Sequence, residues 1–397
     1  MSNDLEEIRK EIKDIWEKEL KDKMKKEINS FLDTEYKKYD EKINDFTEEI
    51  NDNMTQTIKL LGVEKMLERK KTSQNLLDIN DSNSLINPIL ICLSNIKPIV
   101  YLCLGLKDSN ILKKINEKNK DNFISLFIQL INNLWMENKE YIPIEIHHFL
   151  KKLMNKDYES TDPGIIISFI LSKLNEELNS EKKNNIQNIN NYNEEEVKKY
   201  YDEIFKNNKN QISVTFFINY KITRKCPGCE AYKFCYKQNP IVNLYIEELR
   251  GSISNDLKKF DNLSLKENLL FLLNNDDSYI KEECSVCGKK KDFKINNNIE
   301  NINNKILIIN INRDEDMRHT RSFKYEEKII FTNSNNIEYE LICVLIQELE
   351  KNILTYFKSF LDKKWYLYDN KNIVPVPVNN RGMFNEFDAQ ILIYQKV

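Results

Sequence analysis

Glycine, proline and histidine are all scarce in this sequence. The 397 residues include 7 glycines, 8 prolines and 3 histidines. With so few glycines, many tight turns must use asparagine, which tolerates left-handed backbone conformations better than most residues do. The shortage of histidine leaves few imidazoles for general base catalysis, the role that histidine fills most often in enzymes.

Long apolar runs and a large excess of one charge are also missing. No stretch approaches the roughly 18–20 apolar residues of a membrane-spanning helix, and the N-terminus, MSNDLEEIRKEIKD, is too charged for a signal peptide. We therefore expect an intracellular protein, cytoplasmic or nuclear, without membrane association. The net charge of −3 shows no excess of basic residues, so direct nucleic-acid binding is not expected. The hydrophobic fraction of 41% is sufficient for a folded core.

The first part of the chain, residues 1–70, has the pattern of a helical, coiled-coil-like arm. Apolar residues recur at steps of three and four from Leu5 to Met54, with charged residues between them. Such a pattern is the seam of a coiled coil or a helical hairpin. A narrow apolar seam needs a surface to cover it. Two interpretations stay open: the arm folds onto the body of the same chain, or it binds a protein partner or a second copy.

Residues 71–397 change from a helical to a β pattern near residue 210. β-branched and aromatic residues dominate from there, beginning with ISVTFFINYKIT (212–223) and ending with AQILIYQKV (389–397). Before that point a charged loop follows the first helical segment, and a polar, low-complexity insert lies at 179–195. Helices followed by strands indicate an α+β fold. The predicted helical segments are 86–106, 123–136, 141–154 and 164–178.

Two Cys-x-x-Cys pairs lie in the strand-rich half. In each pair, the two intervening residues allow both thiolates to face one point, and four thiolates complete the tetrahedral shell of a structural zinc ion. The long spacer between the pairs predicts a metal clip across two hairpins, with Gly228 and Gly288 in their tight turns and Cys235 as a packing residue. The alternative is four cysteines without a metal. The predicted Zn²⁺ ligands are Cys226, Cys229, Cys284 and Cys287.

The order of several motifs resembles that of the ubiquitin-specific proteases, the papain-like ubiquitin carboxyl-terminal hydrolases. NLLDINDSNSLINPILICLSN (75–95) is similar to the family's opening stretch, Gly-Leu-x-Asn-Leu-Gly-Asn-Thr-Cys-Tyr-Met-Asn-Ser, and to the apolar helix after it. STDPGII (160–166) resembles the thumb segment Gln-Gln-Asp-Ala-Gln-Glu-Phe and keeps Asp162. WYLYDN (365–370) resembles Trp-Tyr-x-Phe-Asp-Asp, and AQILIYQK resembles the closing strand. The cysteine pairs lie where the family's fingers should be.

This resemblance implies the family's α+β architecture after the helical arm. A helical thumb is expected at 71–205, zinc-clipped β fingers with part of the palm at 206–325, and the rest of the β-rich palm at 326–397. The resemblance also implies a structural Zn²⁺ as cofactor and ubiquitin, or a ubiquitinated protein, as a partner. The N-terminal arm would bind a second protein.

The same resemblance places unsuitable residues at the catalytic positions. Ser84 takes the place of the nucleophilic cysteine, and a one-residue shift of the alignment would put Asn83 there. Ile353, within NILTYF (352–357), takes the place of the general base histidine. Of the catalytic triad, Asp369 alone matches the family's residue type.

The chemistry is therefore expected to fail. A serine hydroxyl depends on a base more heavily than a thiol does, and isoleucine cannot accept a proton. The loss of one triad member already costs orders of magnitude in rate, because the members act as a unit. The asparagine of the family's oxyanion hole falls near Asp78 or Ile79, and a carboxylate there would repel the developing oxyanion.

No other histidine or cysteine is expected to restore the activity. His147 and His148 fall on a predicted thumb helix, and His319 falls in a polar loop. The cysteines outside the β fingers fit core packing; they are Cys92, Cys103 and Cys343.

More than one function stays open at this point. The preferred one is a pseudo-deubiquitinase, which would act as a binding or scaffold protein in ubiquitin-linked processes. The alternative is an active thiol isopeptidase that removes ubiquitin from conjugates through a displaced active site. A third is a structural subunit of a large assembly such as the spliceosome, without contact to ubiquitin.

Overall fold

The structure, a computed structural model, describes most of the chain from residue 85 onward. The chain divides into two units, Met1–Gly62 and Val63–Val397, and the elements below belong to the second. The predicted helical arm lies outside the described residues, except for a few isolated positions. Ser84 lies outside them as well. The described residues are 85–107, 109–118, 122–137, 141–154, 162–179, 192–207, 209–245, 278–301, 304–312, 325–331, 337–347, 353–369, 372–377 and 389–397, with isolated positions at 22, 23, 26, 30, 265 and 269.

Helices make up the first half of the described chain. They are α1 (Ile86–Ser94), α2 (Lys97–Leu106), α3 (Asn110–Lys118), α4 (Phe123–Trp135), α5 (Ile144–Met154), α6 (Pro163–Leu178), α7 (Glu194–Asn207) and α8 (Gln211–Phe216). α2 begins with a proline in its first turn, where the missing N–H has no helical partner to lose. None of the described helices is by itself long and apolar enough to cross a membrane, although α1 and α2, bent by 83° at their junction, pass that test of length and composition as a pair.

Strands make up the second half and form two sheets. They are β1 (Ile218–Lys225), β2 (Tyr232–Asn239), β3 (Ile241–Tyr245), β4 (Ser278–Glu283), β5 (Lys290–Asn301), β6 (Ile306–Asn312), β7 (Lys328–Phe331), β8 (Ile337–Gln347), β9 (Ile353–Lys358), β10 (Trp365–Tyr368), β11 (Ile373–Pro375) and β12 (Ala389–Lys396). The smaller sheet has the order β2-β1-β5-β4, and the larger has the order β11-β10-β9-β8-β12-β6-β3, with β7 also paired to β8. Among the described pairs, only β3 and β6 run parallel.

The helices cover one face of the larger sheet. In β6, Ile306 and Ile308 belong to the core shared with the helices, whereas Leu307 and Ile309 belong to a second core on the opposite face. A strand that is buried on both faces requires this unbroken apolar sequence. α1 lies at the centre of the helical side, because all its residues are buried and it contacts α2 and α6 as well as β8 and β9.

A buried carboxylate joins α6 to the start of α4. The two carboxylate oxygens of Glu177 accept hydrogen bonds from the backbone N–H groups of Phe123 and Ile124, at 3.1 and 2.8 Å. These N–H groups have no partner within their own helix, and negative charge is favourable at a helix N-terminus. The Asn122 side chain caps the same turn by accepting from Ser125 N at 2.9 Å. The first turn of α4 is therefore held from both sides.

The structure corrects the predicted strand at the start of ISVTFFINYKIT. Residues 212–216 belong to helix α8, and only the part from Ile218 onward forms a strand. The cause is a capping box, in which the Asn210 side chain accepts from Ser213 N and the Ser213 hydroxyl accepts from Asn210 N. These local hydrogen bonds outweigh the β preference of the branched residues.

One further segment that was predicted as a loop is helical, and another helix begins within the last two residues of the predicted polar insert. Residues 110–118 form α3, because Leu112 and Ile115 pack onto the core while the charged residues face outward. α7 begins at Glu194, inside the predicted polar insert at 179–195, and its first turn carries three glutamates. Negative charge in a first turn stabilises a helix, and this helix contacts strand β2.

Candidate functional site

The N-terminal half of α1 lies between helix α5 and strand β9. The Thr355 hydroxyl donates to the Pro88 carbonyl oxygen at 3.1 Å, which attaches the helix to β9. On the other side, the Asn87 side-chain oxygen lies 3.0 Å from His147 Nε2 on α5. Both Asn87 and Thr355 are completely buried. The helix start that the sequence aligns with the family's nucleophile is thus fixed by polar contacts on two sides.

Ile353 lies at the start of β9 and faces the same side as Thr355. Residues two apart in a strand share a face, and Ile353 and Phe357 both belong to the core beneath the helices. Ile353 is only 4% exposed and pairs with Gln347 of β8. The position predicted for the general base therefore faces the α1 side of the sheet with a hydrocarbon side chain.

Asp369 follows β10, the strand next to β9. Its neighbour Tyr368 pairs with Thr355, so Asp369 lies close to the start of β9. The Asp369 carboxylate accepts a hydrogen bond from Asn372 N at 2.7 Å, and Asp369 N donates to Asn372 O at 3.3 Å. The carboxylate thus closes the turn between β10 and β11, and it is exposed. The positions of Ile353 and Asp369 come together, while Ser84 lies outside the described residues.

The described histidines do not supply the base that is predicted at position 353. His147 is 4% exposed, and burial, with a smaller effect from His148, lowers its pKa to about 4. It is therefore neutral near pH 7 and a weak base. His148 is exposed on the same helix, and His319 lies outside the described residues. In the part of the chain that the structure describes, no hydrogen bond joins a histidine to a cysteine.

The cysteines on the helical side are buried in the core. Cys92 on α1 and Cys343 on β8 face each other with their Sγ atoms 2.9 Å apart. Burial, together with the neighbouring Cys92 thiol, raises the pKa of Cys343 well above its ordinary value, and burial alone raises the pKa of Cys103. The thiolate is the nucleophilic form of cysteine, so Cys103 and Cys343 are poor nucleophiles in this state.

The sequence does not predict the contact of His147 with Asn87 or that of Cys92 with Cys343. Each contact joins residues far apart along the chain, by 60 positions in the first case and 251 in the second. A local pattern carries no information about such pairs. Only the burial of the cysteines could be expected from their apolar surroundings.

The two Cys-x-x-Cys pairs meet at one end of the smaller sheet. The first pair lies in the turn between β1 and β2, and the second lies in the turn between β4 and β5. Because β1 also pairs with β5, the two hairpins lie side by side. The four Sγ atoms all lie within 4.8 Å of one another. We call this group the cysteine cluster; it consists of Cys226, Cys229, Cys284 and Cys287.

The spacing of the cysteine cluster fits a tetrahedral metal site. The Sγ atoms of Cys226 and Cys287 are 3.9 Å apart, and those of Cys229 and Cys284 are 3.7 Å apart. A tetrahedron with zinc–sulfur bonds of about 2.3 Å has edges of about 3.8 Å. These two distances match the edges of such a tetrahedron, and all four sulfur atoms lie within 4.8 Å of one another.

The surroundings of the cysteine cluster shift the pKa values of its thiols in opposite directions. The backbone N–H of Ala231 lowers the pKa of Cys229, but loss of hydration and the other three cysteines outweigh it and raise this pKa to about 12. The backbone N–H of Cys287 lowers the pKa of the Cys284 thiol to about 6, and Gly228 N donates to the Cys226 sulfur at 3.4 Å. The buried ring of Phe293 packs against the cluster. Thiolates are the form in which cysteine binds zinc.

The two turns share one backbone geometry. In each, the residue after the second cysteine has a left-handed conformation, with φ of 58° at Glu230 and 65° at Gly288. The N–H of that residue donates to the carbonyl of the first cysteine, at 2.9 Å in the first turn and 2.7 Å in the second. Gly228 lies in the first turn as expected, and the left-handed residue of that turn is Glu230.

Comparisons with known proteins agree with this architecture. A search of curated protein sequences gives no match. Similar solved structures include the yeast SAGA DUB module with a mutant of Sgf73 and the SAGA DUB module bound to monoubiquitin, each with a TM-score of 0.57 and 14% identity over 83% of this chain and 70% of that chain. The pseudoubiquitin-hydrolase of Saccharomyces cerevisiae PAN2 has a TM-score of 0.56 and 16% identity over 83% of this chain and 86% of that chain. At identities this low, the structural likeness shows a common fold and nothing more.

The sequence model described as "Ubiquitin carboxyl-terminal hydrolase" matches residues 79–394. This match covers well over half of the chain and includes α1, both sheets and the cysteine cluster. The protein therefore belongs to the ubiquitin carboxyl-terminal hydrolase family, as a divergent member with the fold of the ubiquitin-specific proteases.

Proposed function

We propose that this protein is a catalytically inactive member of its family that acts as a binding or scaffold protein in a ubiquitin-linked process. The observation that carries this proposal is the burial of Ile353, at the family's general-base position, in the apolar core beside α1. An isoleucine side chain neither accepts a proton nor orients a nucleophile. Acyl transfer at this site would therefore lack its base.

The described imidazoles and thiols also support an inactive site. His147 contacts Asn87 and is neutral near pH 7, so it stabilises the packing of α5 on α1. A displaced thiol centre would need an ionised cysteine beside a base. Cys103 and Cys343 are buried, and burial raises the pKa of each. Both features disfavour the alternative of an active isopeptidase.

Loss of the chemistry leaves the binding surface of the fold available, because binding and catalysis depend on different residues. One similar structure, the SAGA DUB module, contains bound monoubiquitin, and the PAN2 domain is described as a pseudoubiquitin-hydrolase. These likenesses support ubiquitin or a ubiquitinated protein as the partner of the domain. The N-terminal arm, residues 1–70, would bind a second protein.

We also propose that the cysteine cluster holds one structural Zn²⁺ ion. Four thiolates complete the coordination shell and leave no position for a catalytic water. The ion would join the β1–β2 hairpin to the β4–β5 hairpin and stabilise the smaller sheet. The spacing of the sulfur atoms and the N–H groups that face them support this assignment.

The zinc content of the purified chain tests the metal assignment. We expect about one equivalent of zinc in the wild-type protein, and a loss of most of it in Cys284→Ala. Cys235→Ala is the matched control, because Cys235 lies on β2 of the same sheet but outside the cysteine cluster. Absence of zinc from the wild-type protein, or equal zinc content in both variants, would refute the assignment.

Hydrolysis of a ubiquitin-derived fluorogenic substrate tests the catalytic part. We expect no release of fluorophore and no labelling by ubiquitin that carries a C-terminal electrophile, with an active member of the family as positive control. Turnover by the wild-type chain that disappears in Cys92→Ala or Cys103→Ala would establish the displaced thiol centre instead.

Titration of labelled ubiquitin against the full chain tests the binding part. Saturable binding at micromolar concentration is the expected result, and Ile353→Ala should retain it because a buried side chain does not reach the partner. A chain that is folded, as shown by circular dichroism, and does not bind ubiquitin at high micromolar concentration would exclude the ubiquitin-binding role.

A further inference from the structure

Two buried thiols meet where α1 packs on the larger sheet. Cys92 on α1 is fully buried, Cys343 on β8 is 1% exposed, and their Sγ atoms are 2.9 Å apart. A disulfide bond has a length of about 2.05 Å, so the sulfur atoms need to approach by only about 0.9 Å to be bonded. The proposed function uses neither thiol.

The rest of α1 holds this pair in place. Pro88, one helical turn before Cys92, accepts the hydrogen bond from Thr355 of β9. Thr355 pairs with Leu345 of β8, which lies two residues from Cys343 and faces the same side of the sheet. Helix α1 therefore crosses from β9 to β8 and contacts both strands. The first contact is the hydrogen bond from Thr355 to Pro88, and the second is the thiol pair.

We propose that Cys92 and Cys343 form a disulfide when the protein meets hydrogen peroxide, and that this bond locks the thumb helix α1 to the palm strand β8. One thiol loses its proton, and the resulting thiolate attacks the peroxide and becomes a sulfenic acid; the hydroxide that leaves takes up that proton and is released as one water molecule. The second thiol then displaces the hydroxyl as a second water molecule, and the sulfur–sulfur bond forms. Two thiols are oxidised to one disulfide, and one peroxide is reduced to two waters.

Burial sets the rate and the persistence of this step. Peroxide reaches the sulfur atoms only when α1 opens from the sheet, so oxidation is slow compared with that of the exposed Cys229. The same burial slows reduction once the bond has formed. The closed loop contains about 250 residues, and a cross-link across so long a segment restricts the unfolded chain strongly.

The experiment maps the thiols of the full chain after oxidation. The protein is purified with reductant and Zn²⁺, transferred to buffer without reductant, exposed to hydrogen peroxide, and alkylated. We expect a peptide in which Cys92 and Cys343 are linked, with Cys103 alkylated. We also expect the midpoint of thermal unfolding to rise by about 5–10 °C and to return to its original value with dithiothreitol.

Cys103→Ala is the matched control, because Cys103 is buried on α2 and has no cysteine partner among the described residues. This variant should form the linked peptide as the wild type does, whereas Cys343→Ala should lose both the peptide and the thermal shift. The map of the wild-type chain is decisive even if Cys343→Ala does not fold. Free Cys92 and Cys343 after prolonged exposure to hydrogen peroxide, or separate sulfinic acids at the two positions, would overturn the proposal.

Discussion

The neutral, buried imidazole of His147 makes the stability of this protein depend on pH. Burial lowers the pKa of His147 from 6.5 to about 4 in the folded chain. Between these two values the unfolded chain binds a proton that the folded chain does not. Stability is therefore complete above pH 6.5 and is lost as the pH falls towards 4. The difference between the pKa of 6.5 in the unfolded chain and about 4 in the folded chain corresponds to about 3 kcal/mol in total, of which about 2 kcal/mol is lost between pH 7 and pH 5.

Urea unfolding, followed by circular dichroism at pH 7, 6 and 5, measures this loss. His147→Gln is the matched variant, because its side-chain amide can still donate to the Asn87 oxygen and does not titrate. The carboxylates titrate in both proteins, so the difference between the two pH profiles isolates the imidazole. We expect the wild type to lose about 2 kcal/mol more than the variant between pH 7 and pH 5. Parallel profiles would show that His147 becomes protonated in the folded state at its ordinary pKa, which would refute the reasoning.

Two other substitutions test the helix and turn contacts. Glu177→Ala leaves the N–H groups of Phe123 and Ile124 without their buried acceptor, and we expect a loss of about 2–3 kcal/mol in urea unfolding. Glu177→Gln keeps an acceptor oxygen and should lose less; equal losses would contradict the role of the hydrogen bonds. Glu230→Gly should raise the unfolding free energy by about 0.5–1 kcal/mol, because glycine accepts the φ of 58° without strain. Glu230→Ala should give no such gain, since the exposed Lys225–Glu230 contact at 3.6 Å contributes little.

The sequence predicts those features that depend on local spacing. Each Cys-x-x-Cys pair is recognisable from its own spacing as a pair of metal ligands, and the order of the motifs indicates the family before any contact is known. The apolar steps of α1 and α4 predict buried helices. The Asn210–Ser213 capping box is also local, but the β-branched residues after it favour a strand, and composition alone does not show which preference is stronger.

Features that depend on distant contacts could not be predicted. The Glu177 carboxylate accepts hydrogen bonds from the first N–H groups of a helix that begins 54 residues before it, and Cys343 contacts a cysteine 251 residues away. The motif resemblance predicts Ile353 at the general-base position, but only the packing shows that this side chain belongs to the core shared with α1. The pairing of Tyr368 with Thr355 likewise places Asp369 near that position, which no spacing along the chain could indicate.

The side-by-side arrangement of the β1–β2 and β4–β5 hairpins limits how this region can change in length. A single residue inserted into β1 would move Cys226 by about 3.3 Å and turn alternate side chains to the other face. That displacement is nearly a whole edge of the sulfur tetrahedron, so the partner hairpin would need a compensating insertion in β4 or β5. Related sequences should therefore keep the strand lengths next to the four cysteines fixed.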